Sequence, residues 1–269
     1  MDYRLIDSGN GQKLEQFGSV TLVRPCASAL WTPKLERNIW SKADAVFTRD
    51  GGNQWHIKGH VPEEWIIEVS GIQFKLKRTD FGHLGIFPEQ APLWKWIQQN
   101  TEAQKRVLNL FAYSGGSSLA AAKAGAEVFH LDAAKGMVMW ASENAALNEV
   151  GKIHWLVDDA LKFLARAIRR GDKYDAIIFD PPSFGRGKSG EIFKIEEHLP
   201  FILESCRDLL SNNPSFLLFT CHTPGYTPIT MRQLLEDLQG KGKVEAGEMT
   251  LVGENTFEVP CGTYARWTP

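Results

Sequence analysis

The sequence predicts an α/β protein built on a doubly wound, mostly parallel sheet, preceded by a small β-rich domain. Two textures along the chain carry this reading. From about residue 90 onward, apolar strand-like runs alternate with amphipathic helical stretches: "RVLNLF" then "SSLAAAKAG", "EVFHLD" then "KGMVMWASENAALNEV", "IHWLV" then "DALKFLARAIRR", "YDAIIFD" then "IEEHLPFILESCRDLL", and "SFLLFT" then "TMRQLLEDLQG". Strand-helix units in series fold into a parallel sheet because each helix carries the chain back to the end of the sheet where the previous strand began. "VEAGEMTLV" and the stretch from Cys261 to Trp267 read as closing strands, a hairpin at the sheet edge.

Before residue 90 the texture differs. Short stretches rich in Trp, Val, Ile and Phe are punctuated by turns such as "DSGNG" and "RDGGN", and alternation is plain in "EEWIIEV" and "IQFKLKR". The boundaries expected are therefore 1–90 for the small domain and 91–269 for the sheet domain. Trp65, Trp94 and Trp96 are read as core and interdomain packing.

Composition sets the outer limits. The chain has 269 residues, 43% of them hydrophobic and 23% charged, enough for a full core. Neither a signal peptide nor a membrane-spanning run is visible, and the four cysteines Cys26, Cys206, Cys221 and Cys261 form no CxxC pair. A reducing cytoplasm is the compartment expected, with no metal. The net charge of -2 restricts any nucleic-acid contact to a local patch, for which "KLKR" at 75–78, "RAIRR" at 166–170 and Arg186 with Lys188 are the candidates.

In such a sheet, ligands sit beyond the carboxyl ends of the strands, where the strand order reverses. The first loop to search runs Phe111, Ala112, Tyr113, Ser114, Gly115 and on into a helix, with Asp132 and Ala133 closing the next strand. Glycine permits a close backbone approach, and a carboxylate at Asp132 can accept both hydroxyls of a ribose. A dinucleotide would require G-x-G-x-x-G to hold its pyrophosphate; here the spacing fails. S-adenosylmethionine has no phosphate and suits the loop, with Asp158 or Asp159 accepting from the adenine amine and Ala160 meeting the ring. An Asp pair at a helix start is equally an N-cap.

After the fourth strand comes "FDPPSFGRGKSG". Gly187-Lys188-Ser189 resembles the tail of a phosphate loop, but the glycine required five positions earlier is Pro182, which has no N–H to offer. Asp180, Pro181 and Phe184 make better sense as a substrate wall: the carboxylate and proline carbonyls accept from an amine, and the ring stacks on a flipped base. Arg186 and Lys188 then form a basic flap for a phosphate backbone.

Taken together, "VLNLFAYSGG", "LD" at 131–132, "ENAALN", "DDALKFL" and "FDPPSFGRGKSGEIFKIEEHLPFIL" resemble class I S-adenosylmethionine-dependent methyltransferases, specifically the group of large-subunit ribosomal RNA methyltransferases. The resemblance covers roughly residues 70–220. It implies a seven-stranded sheet, S-adenosylmethionine as cofactor and an RNA base as substrate. "GIFPEQ" at 85–90 matches a motif of that group with Ala91 in place of its basic residue, and by analogy Phe87 and Gln90 line the cofactor pocket. The chain is expected to do without the group's separate N-terminal RNA-binding module, so the target is less defined than the cofactor. Cys221, at the end of the fifth strand beside His222, stands where cytosine-5 methyltransferases carry a nucleophile; the other reading is a small buried hydrophobe. Asn144 and Asn148 are expected on a helix face. A methyltransferase for a small molecule or protein, a nicotinamide-dependent oxidoreductase and a non-catalytic binding protein are the rivals.

Overall fold

The computed structural model describes residues 2–186, 190–254 and 256–269. The chain forms two compact units, one comprising Met1–Ala91 with Thr250–Cys261 and the other Pro92–Met249 with Gly262–Pro269. The chain thus returns to its first unit near its end, a pairing that a contiguous boundary at residue 90 does not contain.

In the first unit, β1 (Tyr3–Gly9), β2 (Gln12–Phe17), β3 (Val20–Pro25), β4 (Ala45–Thr48) and β5 (Gln54–Ile57) form a sheet in that order, with the short helix α1 (Arg37–Trp40) between β3 and β4. β6 (Glu64–Val69) and β7 (Ile72–Lys77) pair as a separate antiparallel hairpin, and a 3-10 turn covers Pro88–Gln90. Alternation explains the hairpin: Phe74 and Leu76 are buried while Gln73 is exposed. Residues 250–261 complete this unit. Leu251 and Val259 pack on Leu5, Thr256 Oγ1 lies 2.8 Å from Ser8 Oγ, and the Ser28 hydroxyl donates to the Pro260 carbonyl at 2.8 Å.

A buried ion cluster ties β2 to β3. Glu15, fully buried, accepts from Arg24 Nε and Nη2 at 2.8 and 3.0 Å and from the Tyr3 hydroxyl at 2.9 Å, with Lys13 Nζ at 3.1 Å. Burial pushes its carboxyl up, but the Arg24 and Lys13 cations outweigh this and hold it below the usual range.

In the second unit, α2 (Ala91–Asn100) leads into β8 (Arg106–Leu110), α3 (Gly116–Lys123), β9 (Glu127–Asp132), α4 (Lys135–Leu147), β10 (Ile153–Val157), α5 (Ala160–Arg170) and β11 (Ala176–Phe179). Then come the short strands β12 (Phe184–Arg186) and β13 (Ile192–Lys194), α6 (Ile195–Leu209), β14 (Phe216–Cys221), α7 (Pro228–Gln239), β15 (Lys243–Leu251) and β16 (Val259–Thr268). The seven-stranded sheet has the order β10-β9-β8-β11-β14-β16-β15. Its first five strands are parallel, and β16 runs antiparallel to β14. This is the doubly wound, mostly parallel sheet expected, with β16 placed inside the edge strand β15. The strand order reverses between β8 and β11.

Burial follows the sequence texture. β11 and β14 are buried along their whole length, as strands covered on both faces must be, and the Phe179 and Phe219 rings stack at 4.6 Å. α5 buries Phe163, Leu164 and Ala167, and Gly171 closes it in the left-handed conformation. Two of its arginines are paired: Arg166 with Asp158, and Arg170 with Asp172 at 2.6 Å. In "KLKR", Lys75 pairs with Glu64 at 2.5 Å and Arg78 donates to the carbonyls of Val61 and Pro62. Both runs are thus solvated or structural faces. Trp94 is buried in the second unit and Trp96 lies edge-on to Phe216 at 4.9 Å, whereas Trp65 donates to the Phe17 carbonyl in the first. Among the described residues, no helix is long and apolar enough to cross a membrane.

Removing one partner of a buried pair leaves an uncompensated charge, so Glu15→Ala is expected to lower stability by about 3–5 kcal/mol. Urea unfolding of the full chain checks this, with the exposed Glu64→Ala as a control expected to change stability by less than about 1 kcal/mol.

Candidate cofactor and substrate site

The loop after β8 has an unusual backbone. Phe111 and Tyr113 hold φ of 56° and 50°, left-handed values that L side chains rarely adopt, and Gly115 follows at 97°. Three groups fix this shape. Asp132, half-buried at the end of β9, accepts from the Tyr113 amide at 3.0 Å through Oδ2 and from the Ala134 amide at 2.8 Å through Oδ1. Asn144, fully buried on α4, donates to the Ser114 carbonyl at 3.0 Å and accepts at its own carbonyl from Asn148. Gly115 and Gly116 allow close packing: a Cβ on Gly115 would stand 3.1 Å from the Ala141 Cβ, and one on Gly116 would strike the Trp94 ring at 2.6 Å.

Beneath the loop runs a buried polar chain. Asn109 Nδ2 donates to Ser118 Oγ at 2.9 Å, and that hydroxyl meets His130 Nδ1 at 2.9 Å. All three side chains are buried. Burial pushes the His130 imidazole down to about 3, against a smaller opposing effect of the Tyr113 backbone. His130 is therefore neutral and structural. A sequence signal for this chain exists, since Asn109 and His130 interrupt the otherwise apolar runs "VLNLF" and "VFHLD".

The expected cofactor residues are sorted by this geometry. Phe111, Ala112, Tyr113, Ser114 and Gly115 form one loop, and Asp132 with Ala133 lies against it through the Tyr113 amide. Each Asp132 oxygen already accepts one backbone N–H, which orients the carboxylate and leaves one further acceptor direction per oxygen. Burial raises its pKa, opposed by the Ala134 and Tyr113 amides. Asp158 and Asp159 part company. Asp159 is the N-cap of α5, accepting from the Lys162 amide at 2.9 Å, while Asp158 accepts from the Asp159 amide and pairs with Arg166. Ala160 is the first residue of that helix. Phe87 and Gln90 belong to the first unit.

Across the switch point stands the second loop. Asp180 follows β11, and His222 Nε2 lies 3.7 Å from its Oδ2. Ser183 Oγ bonds to Thr223 Oγ1 at 2.7 Å, tying the loop after β11 to the loop after β14. Phe184 is 51% exposed, which removes the reading of a core phenylalanine. It begins β12, whose antiparallel partner β13 carries Phe193, and the Phe193 ring lies 5.6 Å from that of Phe111 in the cofactor loop. Arg186 is the last described residue of β12; Lys188, the other half of the expected flap, lies outside the described residues.

Cys221 does not have the surroundings of a nucleophile. It is 1% exposed, and burial pushes its thiol up, with the nearby Asp180 charge acting the same way against hydrogen bonding from Thr223. The Thr223 amide donates to its sulfur at 3.4 Å. A thiolate is disfavoured here, and the reading as a buried small side chain fits better.

The model of the S-adenosylmethionine-dependent methyltransferase family matches residues 20–236. The chain belongs to this family. S-adenosylmethionine is the cofactor of this family and of this chain. The crystal structure of an S-adenosylmethionine-dependent methyltransferase from Agrobacterium tumefaciens superposes with a TM-score of 0.95 at 39% identity, over 100% of this chain and 91% of that one. A second methyltransferase structure, in complex with S-adenosylhomocysteine, shares the fold at 21% identity and a TM-score of 0.80, over 99% of this chain and 75% of that one. Among curated relatives, the ribosomal RNA large subunit methyltransferase K/L of Marinobacter nauticus is 30% identical over 63% of this chain and 24% of its own length. The ribosomal RNA large subunit methyltransferase I of Aeromonas salmonicida is 30% identical over 60% of this chain and 42% of its own. The chain thus spans less than half the length of these relatives.

Asn144→Ala removes the bond to the buried Ser114 carbonyl and is expected to destabilise by about 1–3 kcal/mol while weakening S-adenosylhomocysteine binding, read by urea unfolding and calorimetry. A pH effect follows from His130. The unfolded chain takes up the proton near 6.5 and the folded chain only near 3, so stability falls as pH drops between those values. The slope reaches about 1.4 kcal/mol per pH unit, and His130→Gln should flatten the stability profile between about pH 6.5 and 5.

Proposed function

We propose that this methyltransferase acts in the cytoplasm on a base in RNA, at a nitrogen atom. The observation that carries the reading is the exposed Phe184 at the end of the rigid Asp180-Pro181-Pro182 turn, on a strand whose partner touches the cofactor loop. In this reading the loop from Phe111 to Gly115 receives the adenosine and methionine parts of S-adenosylmethionine. Asp132 accepts from the ribose hydroxyls. Asp158 or Asp159 faces the adenine amine, with the Ala160 backbone at the ring. Phe87 and Gln90 are assigned to the same pocket by family resemblance alone.

On the substrate side, Phe184 stacks on the unpaired base, which offsets the few kcal/mol lost on unstacking. Asp180 and the Pro181 carbonyl accept from the amine, fixing its lone pair toward the methyl group; the N–C bond would form as the S–C bond breaks to leave S-adenosylhomocysteine, and the proton shed by the amine would pass through Asp180 to solvent. The cofactor supplies a sulfonium methyl that needs no further activation. Positioning then provides most of the acceleration, and no covalent intermediate on Cys221 is required. Arg186 meets the phosphate backbone, with Lys188, two positions on in the sequence, as the second cation. The curated relatives named as ribosomal RNA methyltransferases support RNA over a small molecule or protein as substrate.

The test is transfer of tritiated methyl groups from S-adenosylmethionine into RNA, protein and metabolite fractions, with label expected in RNA; label confined to protein or metabolites overturns the reading. Asp132→Ala should weaken S-adenosylhomocysteine binding at least about tenfold. Asp180→Asn should lower turnover with that affinity retained, and Cys221→Ala should keep turnover. Loss of activity in Cys221→Ala with the fold intact would restore covalent catalysis at carbon.

A further inference from the structure

Between α6 and α7 lies a groove of about 470 Å³ whose wall belongs entirely to the second unit. Its volume falls among those of ligand-sized pockets, about 300–1,000 Å³. Each helix turns one face to it. Leu199 and Leu203 on α6, and Leu234 and Leu238 on α7, are four positions apart, so each pair lies on one side of its helix. Leu199 and Leu203 are buried, and Leu234, Leu238 and Tyr226 pack, partly buried, against the same core. The floor of the groove is therefore apolar. The loop that leads into α7 is braced: Gly225 takes φ of +94°, its carbonyl accepts from the Thr227 amide at 3.1 Å, and the Thr227 hydroxyl caps the helix by accepting from the Thr230 amide at 3.3 Å.

The rim of the groove carries mainly one sign of charge. Glu196 and Glu204 on α6 and Asp237 on α7 are exposed, at helical positions that flank the leucines. Glu204 and Asp237 form no hydrogen bond or ion pair with any described residue. The cation in the wall, Arg207, has its own carboxylate partner in Asp208 at 3.5 Å. Pro200 adds an acceptor. It stands inside α6 without an N–H, so the Glu196 carbonyl lacks the donor that the next turn would otherwise supply. Burial pushes the Tyr226 hydroxyl up, and proximity to Cys221 and Glu196 acts the same way, so the phenol stays protonated. An apolar floor under an anionic rim is the complement of a cationic amphipathic surface.

We infer that this groove docks a helix of a partner protein, apolar along one stripe and flanked by lysine or arginine. The stretch of α6 from Glu196 to Arg207 is about 16 Å long, which matches about three turns of such a helix. The partner's apolar side chains fill the floor and leave water, as in other helix-in-groove contacts, while its cations meet Glu204, Asp237 and the Glu196 carbonyl. Charge complementarity sets the choice of occupant. A phosphate backbone meets repulsion from the same carboxylates, so the groove is not a path for nucleic acid. The inference is independent of the RNA reading, because it uses no residue of the proposed methyl-transfer site.

Fluorescence anisotropy of the full chain tests this with an amidated probe peptide that carries leucine along one helical face and lysine elsewhere. Two controls accompany it: the same residues in scrambled order, and the leucine pattern with glutamate in place of lysine. The wild type should bind the probe at least about tenfold more tightly than either control, with the margin narrowing as salt is raised. Glu204→Lys combined with Asp237→Lys should weaken the probe at least about tenfold and Leu234→Ala several-fold, whereas Glu63→Lys, an equal charge change at an exposed position of the first unit, should leave it unchanged. Circular dichroism and S-adenosylhomocysteine affinity should match the wild type throughout. Glu204 and Asp237 are exposed, so the double variant carries the test even if Leu234→Ala unfolds. Equal affinity for the three peptides, or unchanged affinity in the folded double variant, overturns the inference. Loss of oligouridine binding in Leu234→Ala with probe affinity kept gives the groove to nucleic acid and overturns it. Self-association of the wild type on sedimentation, abolished in the double variant and without a preference among the peptides, gives the groove to a second copy and overturns it as well.

Discussion

Phe111 and Tyr113 are held in left-handed backbone, and the site depends on what holds them there. Neither residue chooses that conformation by itself, since a side chain with a Cβ pays for it sterically. The Tyr113 amide is captured by Asp132 and the Ser114 carbonyl by Asn144, from two different elements of the sheet domain. The loop is thereby formed before any ligand arrives. Asp132 does two jobs in consequence: its backbone bonds aim the same carboxylate that is proposed to take the ribose. The neutral Asn109–Ser118–His130 chain below adds rigidity without adding charge beneath the loop proposed to take a cationic cofactor.

Sheet order sets this loop beside a second one. β8 and β11 are neighbours whose crossovers leave in opposite directions, so the loop from Phe111 and the turn from Asp180 flank one crevice. The two halves differ in character. The first is backbone held by buried polar groups; the second is stiffened by Pro181 and Pro182 and ends in an exposed ring. β16, inserted beside β14, packs Gly262 so closely that a Cβ there would lie 2.9 Å from the Cys221 carbonyl and from His222 Nδ1. That packing helps explain why Cys221 is a buried thiol.

Much of this was legible in the sequence wherever the controlling contacts are local. Apart from β12 and β13, the strands and helices from β8 to α7 show in their periodicities, and the phosphate-loop reading fails at Pro182. The Asp158–Asp159 pair was ambiguous, because capping and ligand acceptance call for the same residue type; only the Lys162 amide at Asp159 separates them. Asn144 looked like an ordinary helix-face residue, since its partner Ser114 lies 30 positions away. The return of residues 250–261 to the first unit had no local signal at all, being made by contacts such as Ser8 with Thr256 across 248 positions. The β12–β13 hairpin escaped for a different reason: two three-residue strands carry too little periodicity to read.

The central claim, that a preformed loop after β8 receives the cofactor, has a direct test in amide hydrogen exchange of the full chain with and without S-adenosylhomocysteine. The expected result is slow exchange at the Tyr113 and Ala134 amides in the free protein, because Asp132 already binds both, and added protection on the ligand's arrival confined to residues 111–116, 132–134 and 158–160. Rapid exchange of those two amides in the free protein, or ligand protection that bypasses the loop, would contradict the account.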